Sequence, residues 1–286
     1  MQKIYFSKMH GAGNDFIFID YKINPAFKID SDKIVKLCDR RFGIGADGVI
    51  TIEDVSGYSY RMGYYNADGS TGSLCANGAR CSIWFADKTS RLKDGAAKFV
   101  SNGIEYSGNV ISNELIKFNL NKPKGVNLNC SLYSLGLKID YDFIDTGSPH
   151  VVINFDKLLI SNPGFGSGSL RDLDVNGLGS TVRYADQFKP GGTNVNFIGI
   201  DNNEIEIRTY ERGVENETLA CGTGSVASAV IGYLNYDLKP PITLKTRGGD
   251  KLVVNFEIEN NELINLSLTG PAKIVFEGSI EEKFFL

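Results

Sequence analysis

The chain has 286 residues, 42% of them hydrophobic, which is enough apolar surface to fill packed cores and too much for a disordered chain. Its length predicts two domains of similar size, and a net charge of −4, from 30 Lys and Arg against 34 Asp and Glu, leaves no basic footprint for nucleic acid or anionic lipid. The apolar run VASAVIGYL falls far short of the roughly 20 residues of a membrane span, and MQKIYFSKMHGAGNDF lacks the apolar core and cleavage site of a secretion signal, so the expected location is the cytoplasm.

From the N-terminus, strand-like alternation runs through KIYFSKMH and DFIFID. SDKIVKLCDRRFG predicts a helix capped by Ser31 or Asp32, with apolar spacing at Ile34, Leu37 and Cys38 and with Gly43 as its stop. GVITIED and YRMGYYN read as strands, and a second helix opens after Cys75 in GSLCANGARCSIWF. IKFNLN and VVINF are strands again. Gly164 to Ser180, GFGSGSLRDLDVNGLGS, is rich in glycine and serine and reads as a surface loop. NVNFIGI and EIEIRTYE follow as strands, a third helix opens after Cys221 in TLACGTGSVASAVIGYL, and LVVNFEIE and INLSLTG are the last strands. Many strands with a few isolated helices predict an α+β fold with mixed or antiparallel sheets.

The five cysteines, Cys38, Cys75, Cys81, Cys130 and Cys221, are odd in number, irregularly spaced and without a CxxC pair, so they do not describe a disulfide framework. His10 and His150 are the two histidines, and neither adjoins a cysteine, so no metal site is expected. A lone cysteine is ordinarily a small buried hydrophobe, and Cys38, Cys81 and Cys130 are read that way. His10 reads as a turn residue. GIGADG satisfies G-x-G-x-x-G but follows a helix end and lacks the βαβ setting of a dinucleotide site.

The remaining two cysteines share a pattern. LCANGARCSIWF and ACGTGSVASAVI both read Cys-x-x-Gly, then small residues, then a helix, and they stand about half a chain apart. The first N–H groups of a helix have no partner within it, and the helix dipole adds positive charge there. A thiolate at that position is stabilised, so its pKa falls below the usual value of about 8.5. The same N–H groups bind a carboxylate, and Gly78, Gly222 and Gly224 leave room for one. Two such helix mouths holding one carboxylate would set a thiol on each side of the carbon that bears it. That arrangement suits two-base racemisation or epimerisation, in which one thiolate removes a proton and the opposite thiol returns one. Neither a metal nor a pyridoxal cofactor is required.

The sequence resembles the diaminopimelate epimerase family almost end to end. The resemblance rests on KMHGAGNDFIFID, GIGADG, YYNADGSTGSLCANGARC, TGSPHVV, GGTNVNFI, YERGVENETLACGTGS and TRGGDKLVV. It implies two pseudo-symmetric α/β domains, each a mixed or antiparallel sheet curled around a central helix, with the active site in the cleft between them. Residues 1–119 with 274–286 would form the domain of the Cys75 helix, and 120–273 that of the Cys221 helix. By the same resemblance, Cys75 and Cys221 are the acid/base pair, and His150 and Glu211 assist proton movement. Asn14, Asn66, Asn194 and Arg212 match positions that bind substrate, with Glu211 facing its distal ammonium. Ala76, Asn77, Gly222 and Thr223 match the helix mouths that bind the reacting carboxylate. The implied reaction converts LL-2,6-diaminopimelate to the meso form for lysine and peptidoglycan synthesis. Its implied partner is that small molecule, with no cofactor, nucleic acid or membrane; a homodimer is left open.

Three positions depart from the common family pattern. Gly48 stands where many members have a substrate-contacting Gln, Ser148 where Asn is usual, and Ala76 where Gly is usual; RGVENET also carries one extra residue. These departures bear on substrate specificity, whereas the thiol pair is intact. An isomerase of the same fold acting on proline or hydroxyproline would lack the YERG and GTNVNF strings. A Cys–His hydrolase using Cys75 or Cys221 with His150 would leave the second cysteine motif unexplained.

Overall fold

The computed structural model describes residues 3–72, 74–164 and 168–285. The fold is α+β, and the chain divides into two compact units, Met1–Asn119 with Thr269–Leu286, and Leu120–Leu268. Among the described residues, no helix is long and apolar enough to cross a membrane.

In the first unit, β1 (Lys3–Gly11) and β2 (Asn14–Asp20) form an antiparallel hairpin. Its two-residue turn, Ala12–Gly13, takes positive φ at both positions, as tight hairpins of this hand require. Helix α1 (Ser31–Cys38) leads to β3 (Gly48–Glu53), which lies parallel to β2, and β4 (Tyr60–Asn66) returns antiparallel. Helix α2 (Ala76–Lys88) then crosses to β5 (Ala96–Ser101), parallel to β4. Strands β6 (Ile104–Ser112) and β7 (Leu115–Asn119) continue antiparallel. Each parallel step is made by a helix, because parallel strands cannot be joined by a tight turn.

The cap of α1 is Asp30, whose carboxylate accepts the Lys33 N–H, rather than Ser31 or Asp32. The helix also stops earlier than its pattern predicts. The Asp39 carboxylate accepts the N–H groups of Arg41 and Phe42, which draws CDRRF into a turn.

Helix α2 packs on β1, β2, β3, β4, β6 and β7. Every residue from Ala76 to Ala86 is buried, so this helix lies inside a curled sheet and has no wet face. Its small residues permit that enclosure. A Cβ at Gly78 would lie 2.8 Å from Ile50 Cδ1.

The second unit begins with the hairpin β8 (Lys124–Ser134) and β9 (Leu137–Asp145), followed by β10 (Pro149–Asn154) antiparallel to β9. Helices α3 (Phe155–Ser161) and α4 (Val175–Arg183) precede β11 (Asn194–Asp201), which is parallel to β10. Then β12 (Glu204–Glu211) pairs antiparallel with β11, and the short β13 (Asn216–Thr218) folds back on it. Helix α5 (Gly222–Tyr236) crosses to β14 (Ile242–Lys245), parallel to β12, and β15 (Lys251–Glu259) is antiparallel to β14. Strand β16 (Glu262–Pro271) leads back into the first unit, within which β17 (Lys273–Glu281) pairs antiparallel with β1.

The two units repeat one pattern. From β1 to β6, and again from β9 through β12 to β14 and β15, successive pairings run antiparallel, parallel, antiparallel, parallel, antiparallel. In both, the second parallel step carries the buried helix that begins beside a cysteine. The chain returns to the first unit at Thr269, within β16.

The Gly/Ser-rich segment is not simply a loop. Residues 165–167 of it lie outside the described residues, but the remainder holds a one-turn helix, Leu170–Asp172, and the first two turns of α4. Asp174 caps it by accepting the Gly177 N–H, and Val175, Leu178 and Val182 enter the core with Val195, Phe197 and Tyr210. Gly179 is there for close approach, since a Cβ would meet Tyr210 Cβ at 2.5 Å. The apolar spacing of this helix is present in the sequence, but its glycines mask it.

Candidate active site

Cys75 is the N-cap of α2, with extended φ/ψ of −95° and 119°. The first intrahelical bond runs from Ala79 N to Cys75 O, so the N–H groups of Ala76, Asn77 and Gly78 precede the ladder. The half-buried Cys75 donates from Sγ to Asn14 Oδ1 at 3.4 Å, and Asn77 Nδ2 donates to the same oxygen at 3.3 Å. Ala76 is buried, and its carbonyl accepts from Arg80. Asn66 ends β4 and gives its amide to Ser70 Oγ at 3.0 Å.

Cys221 is the N-cap of α5, with the same extended backbone, and Ser225 N closes the first turn on its carbonyl. Its sulfur accepts the Gly224 N–H at 3.4 Å. Neither helix has an acidic residue in its first turn, so neither spends its positive end on a carboxylate of its own. The other cysteines differ. Burial pushes the thiols of Cys38 and Cys81 up to about 12, as suits packing residues. Cys130 departs from its reading as a buried hydrophobe: it is half-buried on β8, where the strand has few apolar neighbours.

His150 is fully buried on β10 and reaches Cys221 through Thr223. Its Nε2 lies 3.0 Å from Thr223 Oγ1, which is 3.6 Å from Cys221 Sγ. Asn196 Nδ2 donates to His150 Nδ1 at 3.2 Å and to Val151 O at 2.9 Å, while its Oδ1 accepts from Thr209. Nδ1 therefore accepts, and the proton sits on Nε2. Burial, helped by the Arg212 charge, pushes the imidazole pKa from 6.5 down to about 3, so the ring is neutral.

That neutrality has a consequence for stability. Unfolding restores the pKa near 6.5, so between that value and about 3 the unfolded chain binds the additional proton. Stability from this residue is full above pH 6.5 and falls as pH drops toward 3. The stability advantage of the parent over His150→Gln is expected to shrink across that window in urea unfolding. An advantage that is constant or grows on acidification contradicts a buried neutral ring.

Glu211 and Arg212 lie at the corner after β12. Glu211 Oε2 accepts from Thr218, and the Arg212 N–H donates to Asn194 Oδ1 at 2.9 Å. Asn194 Nδ2 donates to Pro149 O, so this amide braces the corner against β10. The first unit thus brings Asn14, Cys75, Ala76 and Asn77 together, with Asn66 at the end of a neighbouring strand. The second gathers His150, Cys221, Gly222 and Thr223, with Asn194, Glu211 and Arg212 on adjoining strand ends. Sequence reasoning missed Asn196, although it alternates with Asn194 on β11, and Asp47, which accepts from Asn14 Nδ2 at 2.7 Å.

The diaminopimelate epimerase family model matches residues 6–109 and 143–275. The chain belongs to the diaminopimelate epimerase family. It is 38% identical to a diaminopimelate epimerase of Flavobacterium psychrophilum, covering 97% of this chain and 100% of that one. It is 36% identical to that of Chlorobaculum tepidum, covering 95% of this chain and 99% of that one. A solved hydroxyproline epimerase from Agrobacterium vitis aligns with a TM-score of 0.68 at 12% identity, over 98% of this chain and 91% of that chain, a likeness of fold alone.

As a diaminopimelate epimerase family member, the chain is an isomerase whose substrate is a small molecule. Two of its departures have a local geometry. At Gly48, a Cβ would lie 2.5 Å from Tyr65 O and 3.0 Å from Tyr64 Cε2, so this backbone takes no longer side chain. Ser148 Oγ lies 3.0 Å from His150 Nε2, as an acceptor for its N–H, and stands 3.4 Å from Thr223 Oγ1.

Proposed function

We propose that this chain epimerises LL-2,6-diaminopimelate to the meso isomer in the cytoplasm, with Cys75 and Cys221 as alternating base and acid, supplying lysine and peptidoglycan synthesis. One observation carries the reading: each unit caps its buried central helix with a cysteine and leaves the first turn free of acidic residues. The substrate's reacting carboxylate would lie on the N–H groups of Ala76, Asn77, Gly222 and Thr223. One thiolate takes the Cα proton, and the electron pair passes into that carboxylate, where the helix ends stabilise the added charge. The other thiol delivers its proton to the opposite face and becomes the thiolate for the reverse reaction. Both proton carriers belong to the chain, so the reaction calls for no cofactor.

Neutral His150 holds Thr223 beside Cys221 and orders that side of the site. Arg212 suits the distal carboxylate and Glu211 the distal ammonium, with Asn14, Asn66 and Asn194 completing the recognition of a long zwitterion. This charged pair favours a diamino diacid over proline or hydroxyproline. A Cys–His hydrolase is disfavoured by the imidazole, since a ring with a pKa near 3 is a poor base.

The test is incubation of pure protein in deuterated water with each isomer, following Cα by NMR. Deuterium entering Cα with interconversion, and no added pyridoxal phosphate, is expected. Absence of exchange, or exchange that depends on pyridoxal phosphate, overturns the proposal.

A further inference from the structure

The GIGADG loop between α1 and β3 has no part in the chemistry above, yet charge ties it to Cys75. Asp47 Oδ2 accepts from Asn14 Nδ2 at 2.7 Å and from the Asp15 N–H at 3.2 Å, while its Oδ1 accepts from Arg40 at 2.7 Å. Arg40 also bridges to Asp15, which Lys8 pairs from the other side. Burial alone would raise the Asp15 carboxyl, but Arg40 and Lys8 hold it down to about 2, so this brace is ionised.

A carboxylate only accepts and a guanidinium only donates. Asn14 must therefore turn its NH2 to Asp47 and its oxygen away, and that oxygen receives Cys75 Sγ at 3.4 Å and Asn77 Nδ2 at 3.3 Å. Asn77 is set from the opposite end. Its Oδ1 accepts from Arg80, a fully buried guanidinium, at 2.9 Å. Asp47, Asn14, Asn77 and Arg80 form one row with an anion at one end, a cation at the other, and both amides pointing the same way.

We propose that this row is a polarity lock: Asp47 and Arg80 are positioning residues that keep the Asn14 carbonyl, and not its NH2, facing the Cys75 thiol. An amide's oxygen and nitrogen ends are nearly equal in size, so packing alone does not choose between them. Charge at the ends of the row does. An oxygen facing sulfur orients the S–H proton, whereas an N–H there would favour the thiolate. The catalytic meaning of the lock rests on Cys75 being an acid/base residue; the orientation of Asn14 does not.

Asp47→Asn and Asp47→Ala separate polarity from charge. Both remove the Asp47 charge and leave Lys8, Asp15, Arg40 and Arg80 in place, so a Coulombic change at Cys75 is common to both. In D47N, Arg40 claims the new oxygen through a short charge-assisted bond, which outweighs the 3.2 Å bond given up by the Asp15 N–H and turns the new NH2 toward Asn14. The 3.3 Å bond from Asn77 is longer than the 2.7 Å contact it competes with, so Asn14 flips. In D47A, Asn77 keeps the original orientation. The pH midpoint of Cys75 alkylation by iodoacetamide, read on its peptide by mass spectrometry, is expected to lie roughly 0.5–1 pH unit lower in D47N than in D47A. Coincident midpoints, or the lower one in D47A, overturn the lock. Buried Cys81 stays unlabelled in folded protein and reports the fold in the same digest. Interconversion that survives Cys75→Ser would overturn the reading of Cys75 and leave the alkylation comparison standing.

Discussion

Replacing either Cys75 or Cys221 by serine is expected to lower kcat for interconversion of the diaminopimelate isomers by roughly 10²–10⁴-fold, the usual contribution of one positioned acid or base. A hydroxyl keeps the size and the cap position but surrenders its proton far less readily than a thiol. The two variants should also fail differently. A single remaining thiol can remove a proton from one isomer and return deuterium to the same face. Each variant would then exchange Cα of one isomer without inverting it, and the two would prefer opposite isomers. Separate measurements of inversion and of deuterium uptake read this directly. Inversion within tenfold of the parent in either variant would sink the two-base mechanism. So would the same isomer preference in both.

The second large effect concerns stability. Arg208→Ala is expected to destabilise the protein by about 3–5 kcal/mol, as removal of one member of a buried ion pair does. Arg208 forms a two-pronged pair with Glu217, both contacts at 2.6 Å, and its remaining terminal nitrogen donates to the carbonyls of Leu170, Arg171 and Leu173. Its side chain is 7% exposed and that of Glu217 is 16% exposed. Truncation would leave the Glu217 carboxylate with only the longer 3.8 Å pair to Arg247 and would strand the carbonyls around the one-turn helix Leu170–Asp172. Adding Glu217→Ala should recover part of the loss, because the stranded charge goes with it, but not the part owed to the carbonyls. Urea unfolding of the single and double variants measures both. A single-variant loss below about 1 kcal/mol would show that solvent reaches these groups after truncation.

Much of this protein is legible in its sequence because the relevant physics is short in range. Alternating apolar residues mark β1, β2, β3, β11 and β12. A cysteine before Gly and small residues marks the start of α2 and of α5, since caps and first turns are settled within four residues. The strands without a clear pattern are those with little to bury. β8 has only Leu132 in the core, so its sequence, KGVNLNCSLYS, carries no strong alternation. The segment around α4 misleads for the opposite reason: Gly179 reads as a breaker but serves contact with Tyr210, a residue distant in sequence.

The sequence by itself determined the two cysteine-capped helices, the repeated half-chain pattern and the family. Only the tertiary structure decided what surrounds the thiols. Parallel pairing of β2 with β3 places Asp47 beside Asn14, and parallel pairing of β10 with β11 sets Asn196 against His150. Burial at that second junction then makes the imidazole neutral. Such contacts join residues that chain order keeps far apart. They depend on strand register and on the exclusion of water, and neither is written in any local stretch of sequence.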